Sequence, residues 1–220
     1  RGFDFGNVTL FDNFGNTALL TGKLLHTGFK DWKVEKANLS APTGYNFMNT
    51  TFDDNQDFYG KVFAKGDVDI DGYFNDLTIN VNRLETLKNT VFNLPVSDKA
   101  SDKGYTFIKF VDPKDTIKKI DYKSKISGLN INMNITATND AEIAIILDQA
   151  ANDKIVGRGE GDLNFTMDKK GELSINGTYN LTEGKYDFNF QGILNKTFKI
   201  GPGSKIVFNG DPLKAELAVN

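Results

Sequence analysis

Three aspartates spaced by two, Asp67, Asp69 and Asp71, stand just ahead of Gly72 in the stretch "GDVDIDGYF" (66–74). D-x-D-x-D-G is the opening half of a calcium-binding loop, in which a bidentate glutamate at the twelfth position completes the shell around the ion. Counted from Asp67, that position is Thr78, so the most demanding ligand is missing. Val68 and Ile70 lie between the aspartates, which makes the same stretch an acidic and apolar alternation of period two, the pattern of a half-buried strand. On a strand the carboxylates stand about 7 Å apart along one face, too far to share one cation. The expectation is a solvated face carrying the aspartates, an inward face carrying Val68 and Ile70, and no metal.

Two further constellations fail on their surroundings. "GRGEGDLNF" (157–165) has the glycines of a phosphate-binding loop, but such a loop opens a helix whose amides hold the phosphate, and a strand pattern follows here. His26 is the single histidine and there is no cysteine, which excludes multi-histidine and thiolate metal sites, disulfides and cysteine nucleophiles. A lone histidine without a recognisable partner reads as structural or exposed rather than as a base. Carboxylates are plentiful, yet sequence cannot measure the separation a glycosidase pair requires. The N-x-[ST] matches at 134–136 and 195–197 carry no function. No catalytic residue, metal or cofactor is expected, and the chain does not read as an enzyme.

The elements that hold these residues are strands. In 220 residues, 39% are hydrophobic and 25% charged, enough to bury a core, and 21 glycines and 18 phenylalanines stand against 5 prolines. A net charge of -3 provides no basic field, so nucleic acid is not an expected partner. No apolar run approaches the ~20 residues that span a bilayer as a helix. Leu129, Ile131, Met133, Ile135 and Ala137 alternate with polar residues, and the pattern returns at Leu163, Phe165 and Met167, at Leu173 and Ile175, at Tyr179 and Leu181, and at Tyr186, Phe188 and Phe190. "DKKGE" (168–172), "NGT" (176–178) and "TEG" (182–184) read as turns between them, and Phe198, Ile200, Ile206, Phe208 and the stretch 213–219 continue what reads as a meander. The first half is similar in kind, with Leu77, Ile79 and Val81 as one strand. Two segments, 82–93 and 142–151, also fit a short helix, although the isoleucines of the second suit a strand equally well. The stretch 95–104 is the best candidate for a linker, and 109–125 holds much of the basic charge. Some fifteen one-faced strands cannot lie in a flat open sheet, because twisted sheets beyond roughly 10 strands curl or split. The apolar faces therefore meet, either as a closed β-sandwich or jelly roll, or as a long mainly antiparallel sheet folded lengthwise.

An ordered set of motifs then points to a family: "GRGEGDL" (157–163), "NGTY" (176–179), "EGKYDF" (183–188), "NKTFKI" (195–200) and "GDPLKAEL" (210–217), with "LFDNFGNTALLTGKLLHTGF" (10–29), "FYGKVFAKGDVDIDG" (58–72) and "TVFNLP" (90–95) upstream. Together they resemble the C-terminal region of the TamB family, over nearly the whole chain and more loosely in the first half. The resemblance implies one elongated segment, 1–220, of a larger periplasmic protein anchored in the inner membrane and reaching the outer one. It implies a U-shaped β-taco with an apolar concave face, phospholipid acyl chains in the groove, membrane contact through parts outside this segment, and a TamA-like outer-membrane barrel as partner. With the alternation, it gives a groove list: Val68, Ile70, Leu77, Ile79, Val81, Leu129, Ile131, Met133, Ile135, Leu163, Phe165, Met167, Leu173, Ile175, Tyr186, Phe188, Phe190, Phe198, Ile200, Ile206 and Phe208. The expected function is passive lipid transport. A scaffold for barrel and autotransporter assembly is one alternative; a carbohydrate-binding sandwich using Trp32, Tyr45 and Tyr59 is another. The start at Arg1 and the alternation still running in "AELAVN" (215–220) read as a piece cut from a longer chain.

Overall fold

The computed structural model describes residues 1–96, 128–149, 151–190 and 194–220, the side chain of Phe190 excepted. The linker and basic stretch expected beyond residue 96 lie outside the described residues. Among the described residues there are fourteen strands: β1 (Gly2–Asp4), β2 (Val8–Phe11), β3 (Thr17–Thr27), β4 (Lys30–Thr50), β5 (Tyr59–Tyr73), β6 (Asp76–Thr86), β7 (Val91–Pro95), β8 (Leu129–Ala137), β9 (Glu142–Asp148), β10 (Asp153–Met167), β11 (Leu173–Phe190), β12 (Leu194–Ile200), β13 (Lys205–Gly210) and β14 (Glu216–Ala218). They form one sheet. Among the described residues there is no α-helix; a single 3-10 turn, Pro212–Lys214, interrupts the stretch expected to be one strand. Both helix candidates are strands: 82–93 lies in β6, β7 and the turn between them, and 142–148 is β9.

"DKKGE" is a hairpin turn, closed by Asp168 Oδ1, which accepts the amides of Lys170 at 2.9 Å and Glu172 at 2.8 Å. "NGT" and "TEG" are not turns; both lie inside β11. Gly177 is there because its backbone is left-handed at φ 130° and because a Cβ would run into the Asp162 carbonyl of the neighbouring strand. Close approach inside a long strand and a hairpin loop call for the same residue types, so the sequence pattern alone mistakes one for the other.

The strands are long because each crosses a line of irregularity. β5 holds two partners along one edge, β6 from Ala64 to Tyr73 and β7 from Tyr59 to Lys61. β10 does the same with β8 and β9. β6 runs parallel to β8 and β7 parallel to β9, with Glu85 opposite Thr136 and Val91 opposite Glu142, so the register passes through both gaps without slipping. These pairings close a ring of six strands, β5, β6, β8, β10, β9 and β7, a barrel with the other strands outside it. The meander expected from sequence is thus broken at one parallel seam. A parallel connection needs a dozen or more residues, which the intervening chain supplies.

The register shifts between Ala41 and Tyr45 in β4 and between Arg158 and Gly159 in β10 fall close to that line. Bulges bend strands. The two arms on either side of this crease face each other, since Leu94, Ile145 and Ile155 of one arm share a core cluster with Phe165, Ile175 and Phe208 of the other. A smaller cluster of Ala64, Val68, Val81 and Leu84 occupies the β5–β6 side, and Met133 packs against both.

The seam follows from a repeat. "LTIN" (77–80) in β6 matches "LSIN" (173–176) in β11, "VFNL" (91–94) in β7 matches "DFNF" (187–190) in β11, and "AKGDVDI" (64–70) in β5 matches "GRGEGDL" (157–163) in β10. Each unit is three strands running up, down and up, so the last strand of one unit and the first of the next point the same way. Gly66 sits at the crease with φ +149°, where a Cβ would meet the Arg83 carbonyl. Gly66→Ala is expected to cost about 1–3 kcal/mol, seen as a melting temperature lowered by roughly 2–4 °C per kcal/mol; unchanged melting would show that the crease tolerates a side chain.

Candidate functional site

The arms do not fill the space between them. An apolar cavity of about 370 Å³ remains, lined from Phe47 and Met48 on β4 through every strand of the ring to Ile206 and Phe208 on β13. No charged residue is among its lining, although 25% of the chain is charged. Strand alternation explains this, because each apolar residue facing inward is flanked by polar residues facing out. The outer face shows the complement. Asn38 Nδ2 donates to Asp69 Oδ1 at 2.8 Å, and the Lys36 amide donates to Asp71 Oδ1 at 2.9 Å. The Asp187 carboxyl, with the Lys185 ammonium at 2.7 Å and the Thr197 hydroxyl at 2.9 Å, is held below the usual carboxylate range, chiefly by Lys185.

The chain matches the TamB C-terminal domain over residues 9–220. It belongs to the TamB family. No curated protein and no solved structure matches it. Membership makes this a domain of a bacterial periplasmic protein of the translocation and assembly module, an assembly or transport unit rather than an enzyme.

Of the groove residues expected in this TamB-family chain, Ile79, Leu129, Ile131, Met133, Ile135, Leu163, Phe165, Ile175, Ile206 and Phe208 line the one cavity. Val68 and Val81 are buried beside it, with Ile70 packed on them. Leu77 is half-buried, Met167 and Ile200 are fully buried, and Leu173 and Tyr186 pack on the larger core cluster. Phe188 is half-buried, its ring 5.9 Å from that of Tyr186. Phe198 departs from the expectation. It is 43% exposed, stacked on Tyr186 at 6.0 Å with the Lys196 ammonium 4.9 Å above it, because β12 leaves all but Ile200 open to solvent. Phe190 ends β11, and its side chain lies outside the described residues.

Sequence reading missed Phe47, Phe58, Val62, Leu84, Phe92, Leu94 and Ile143, all of which line the cavity. The repeat would have found two of them, because Phe92 and Leu94 match Phe188 and Phe190. Phe58 had no such signal, being in a loop.

The remaining candidates are structural. Asp67, Asp69 and Asp71 lie along β5, not around a loop. Arg158 of the glycine motif pairs across strands with Glu142 at 3.3 Å and Glu183 at 3.9 Å. His26 is buried, accepts the Phe29 amide at Nδ1 at 3.0 Å, and packs against Phe29 and Trp32. Trp32, Tyr45 and Tyr59 each contact different aromatic neighbours.

Tyr179 borders the cavity at the crease, 1% exposed, and its hydroxyl has no partner at hydrogen-bonding distance. Burial pushes its ionisation well above the ordinary phenol value, and the nearby Arg158 charge opposes this only in part. A raised folded-state value gives stability that is complete below about pH 10 and is lost as pH climbs further. Tyr179→Phe is therefore expected to leave stability at pH 7 unchanged or slightly higher and to flatten the alkaline loss in denaturant titrations. A full alkaline loss retained in the variant would show that another group causes it.

Proposed function

We propose that this domain is a segment of a passive lipid conduit, in which acyl chains lie along the uncharged interior of a sheet folded into a half-pipe. The observation that carries this reading is the cavity lining, apolar and continuous across nine strands of a chain otherwise rich in charge. Its volume has room for about a dozen groups the size of a water or a methylene, part of one acyl chain. The drive is removal of tail surface from water, about 0.8 kcal/mol per buried methylene. Nothing in such a process needs a proton donor, a nucleophile or a bound ion. Transport between the inner and outer membranes, and a TamA-type barrel protein as the partner at the outer end, complete the proposal.

The list of groove residues divides the test. A photo-crosslinking amino acid at Met133 or Leu163, both half-buried in the lining, is expected to capture phospholipid, detected by mass spectrometry of the adduct. The same group at Phe198, which faces solvent, is expected to capture none. Lipid adducts at Phe198 and none inside would overturn the groove assignment.

A further inference from the structure

A loop as well as the strands reaches the cavity. Between β4 and β5 the chain makes a turn whose shape is held locally: the amide and hydroxyl of Thr51 each donate to Asp54 Oδ2 at 2.8 Å, and the Asn55 amide donates to the Thr51 carbonyl at 3.2 Å. This strap, residues 51–58, ends in Phe58. The ring of Phe58 does not stay on its own strand. It stacks on Phe92 of β7 at 6.1 Å and meets Phe165 of β10 edge-on at 5.3 Å. Phe92 lies on one arm of the sheet and Phe165 on the other, so Phe58 bridges the two arms across the interior. It also joins the two repeat units, since β7 belongs to the first and β10 to the second. Both Phe58 and Asn55 line the cavity, whose wall continues to β4 on one side and to β13 on the other. A chain lying along the interior would therefore meet this ring between the arms.

We infer that Phe58 is the residue that controls passage along the groove, closing it between the arms until the 51–58 strap moves aside. This rests on the lipid-conduit reading above. The contacts suit the task. Phe58 is held by ring faces and edges, which a hydrocarbon chain can replace with contacts of the same kind, so displacement exposes no unpaired polar group. The equivalent turn in the second repeat unit, between β9 and β10, spans only 149–152 and carries no aromatic residue, so the device belongs to the first unit alone.

The test is stopped-flow uptake and release of cis-parinaric acid, a fatty acid with a fluorescent chain, by the whole 220-residue chain and by Phe58→Ala and Phe58→Leu, each first shown to be folded by thermal denaturation. Loading and release are both expected to be faster in Phe58→Ala, by about 10-fold from the loss of two aromatic pairs, with Phe58→Leu between it and the wild type. If Phe58→Ala does not fold, Phe58→Leu alone carries the comparison. Equal rates in all three proteins, with the probe bound in each, would overturn the gate and leave the conduit standing. A tighter-binding Phe58→Ala with an unchanged loading rate would also overturn it, showing Phe58 to be core filling. Failure of every protein to take up the probe would overturn the conduit reading itself.

Discussion

The structure depends on one constraint: a sheet of fourteen strands with one apolar face cannot leave that face in water. The apolar residues on β4 to β13 would expose a surface far larger than a soluble domain carries, and no helix among the described residues covers it. Among the described residues, each half of the sheet has the other half as its partner. That requires the long strands to bend, which a regular strand resists, and bulges, positive-φ glycines and small side chains interrupt them near the crease. Ala41, Ala64 and Ala137, fully buried and without bulk, lie on or next to that line and let the arms approach. The crease is thus the price of burying one face without a second sheet.

The closed ring and the parallel seam are consequences of the same bend combined with a three-strand repeat. An even-numbered repeat would have continued the antiparallel meander, and the sequence before the crossover gives no local sign that it does not. Both arms of the seam keep one register through the turns at 87–90 and 138–141. The Glu142 amide donates to the Thr90 carbonyl at 2.9 Å and the Thr138 amide to the Thr86 hydroxyl at 2.9 Å, so the gap itself is bridged. The two units therefore behave as one body in cross-section while differing in their loops.

What the sequence made legible was the period-two signal. It assigned the faces of β5, β8, β10 and β13 residue by residue, and it turned the Asp67, Asp69 and Asp71 triplet from an ion site into the outer side of a strand. It failed where one signal has two causes. Gly177 inside β11 and Gly171 in the preceding hairpin look alike in sequence, yet one serves close strand approach and the other a turn. At Phe198 alternation places the ring beside Tyr186, but the strand has little to pack against. Long-range pairing was out of reach, because the parallel partner of β6 lies some fifty residues on and is chosen by repeat symmetry and burial rather than by local propensity.

A groove that moves cargo without chemistry has to bind it evenly, since a deep local well would hold a chain as firmly as a barrier would exclude it. Alternation in a β-sheet meets that requirement by default: each strand adds much the same apolar step, and charge is kept on the far side by geometry rather than by any particular residue. In this setting the informative position is the one that breaks the uniformity. Along the interior that position is Phe58, which comes from a loop and not from the lattice of the sheet. Its ring contacts reach both arms, Phe92 on one and Phe165 on the other. The lattice therefore accounts for capacity, and a bulky side chain set into it from a loop is where control over movement can reside.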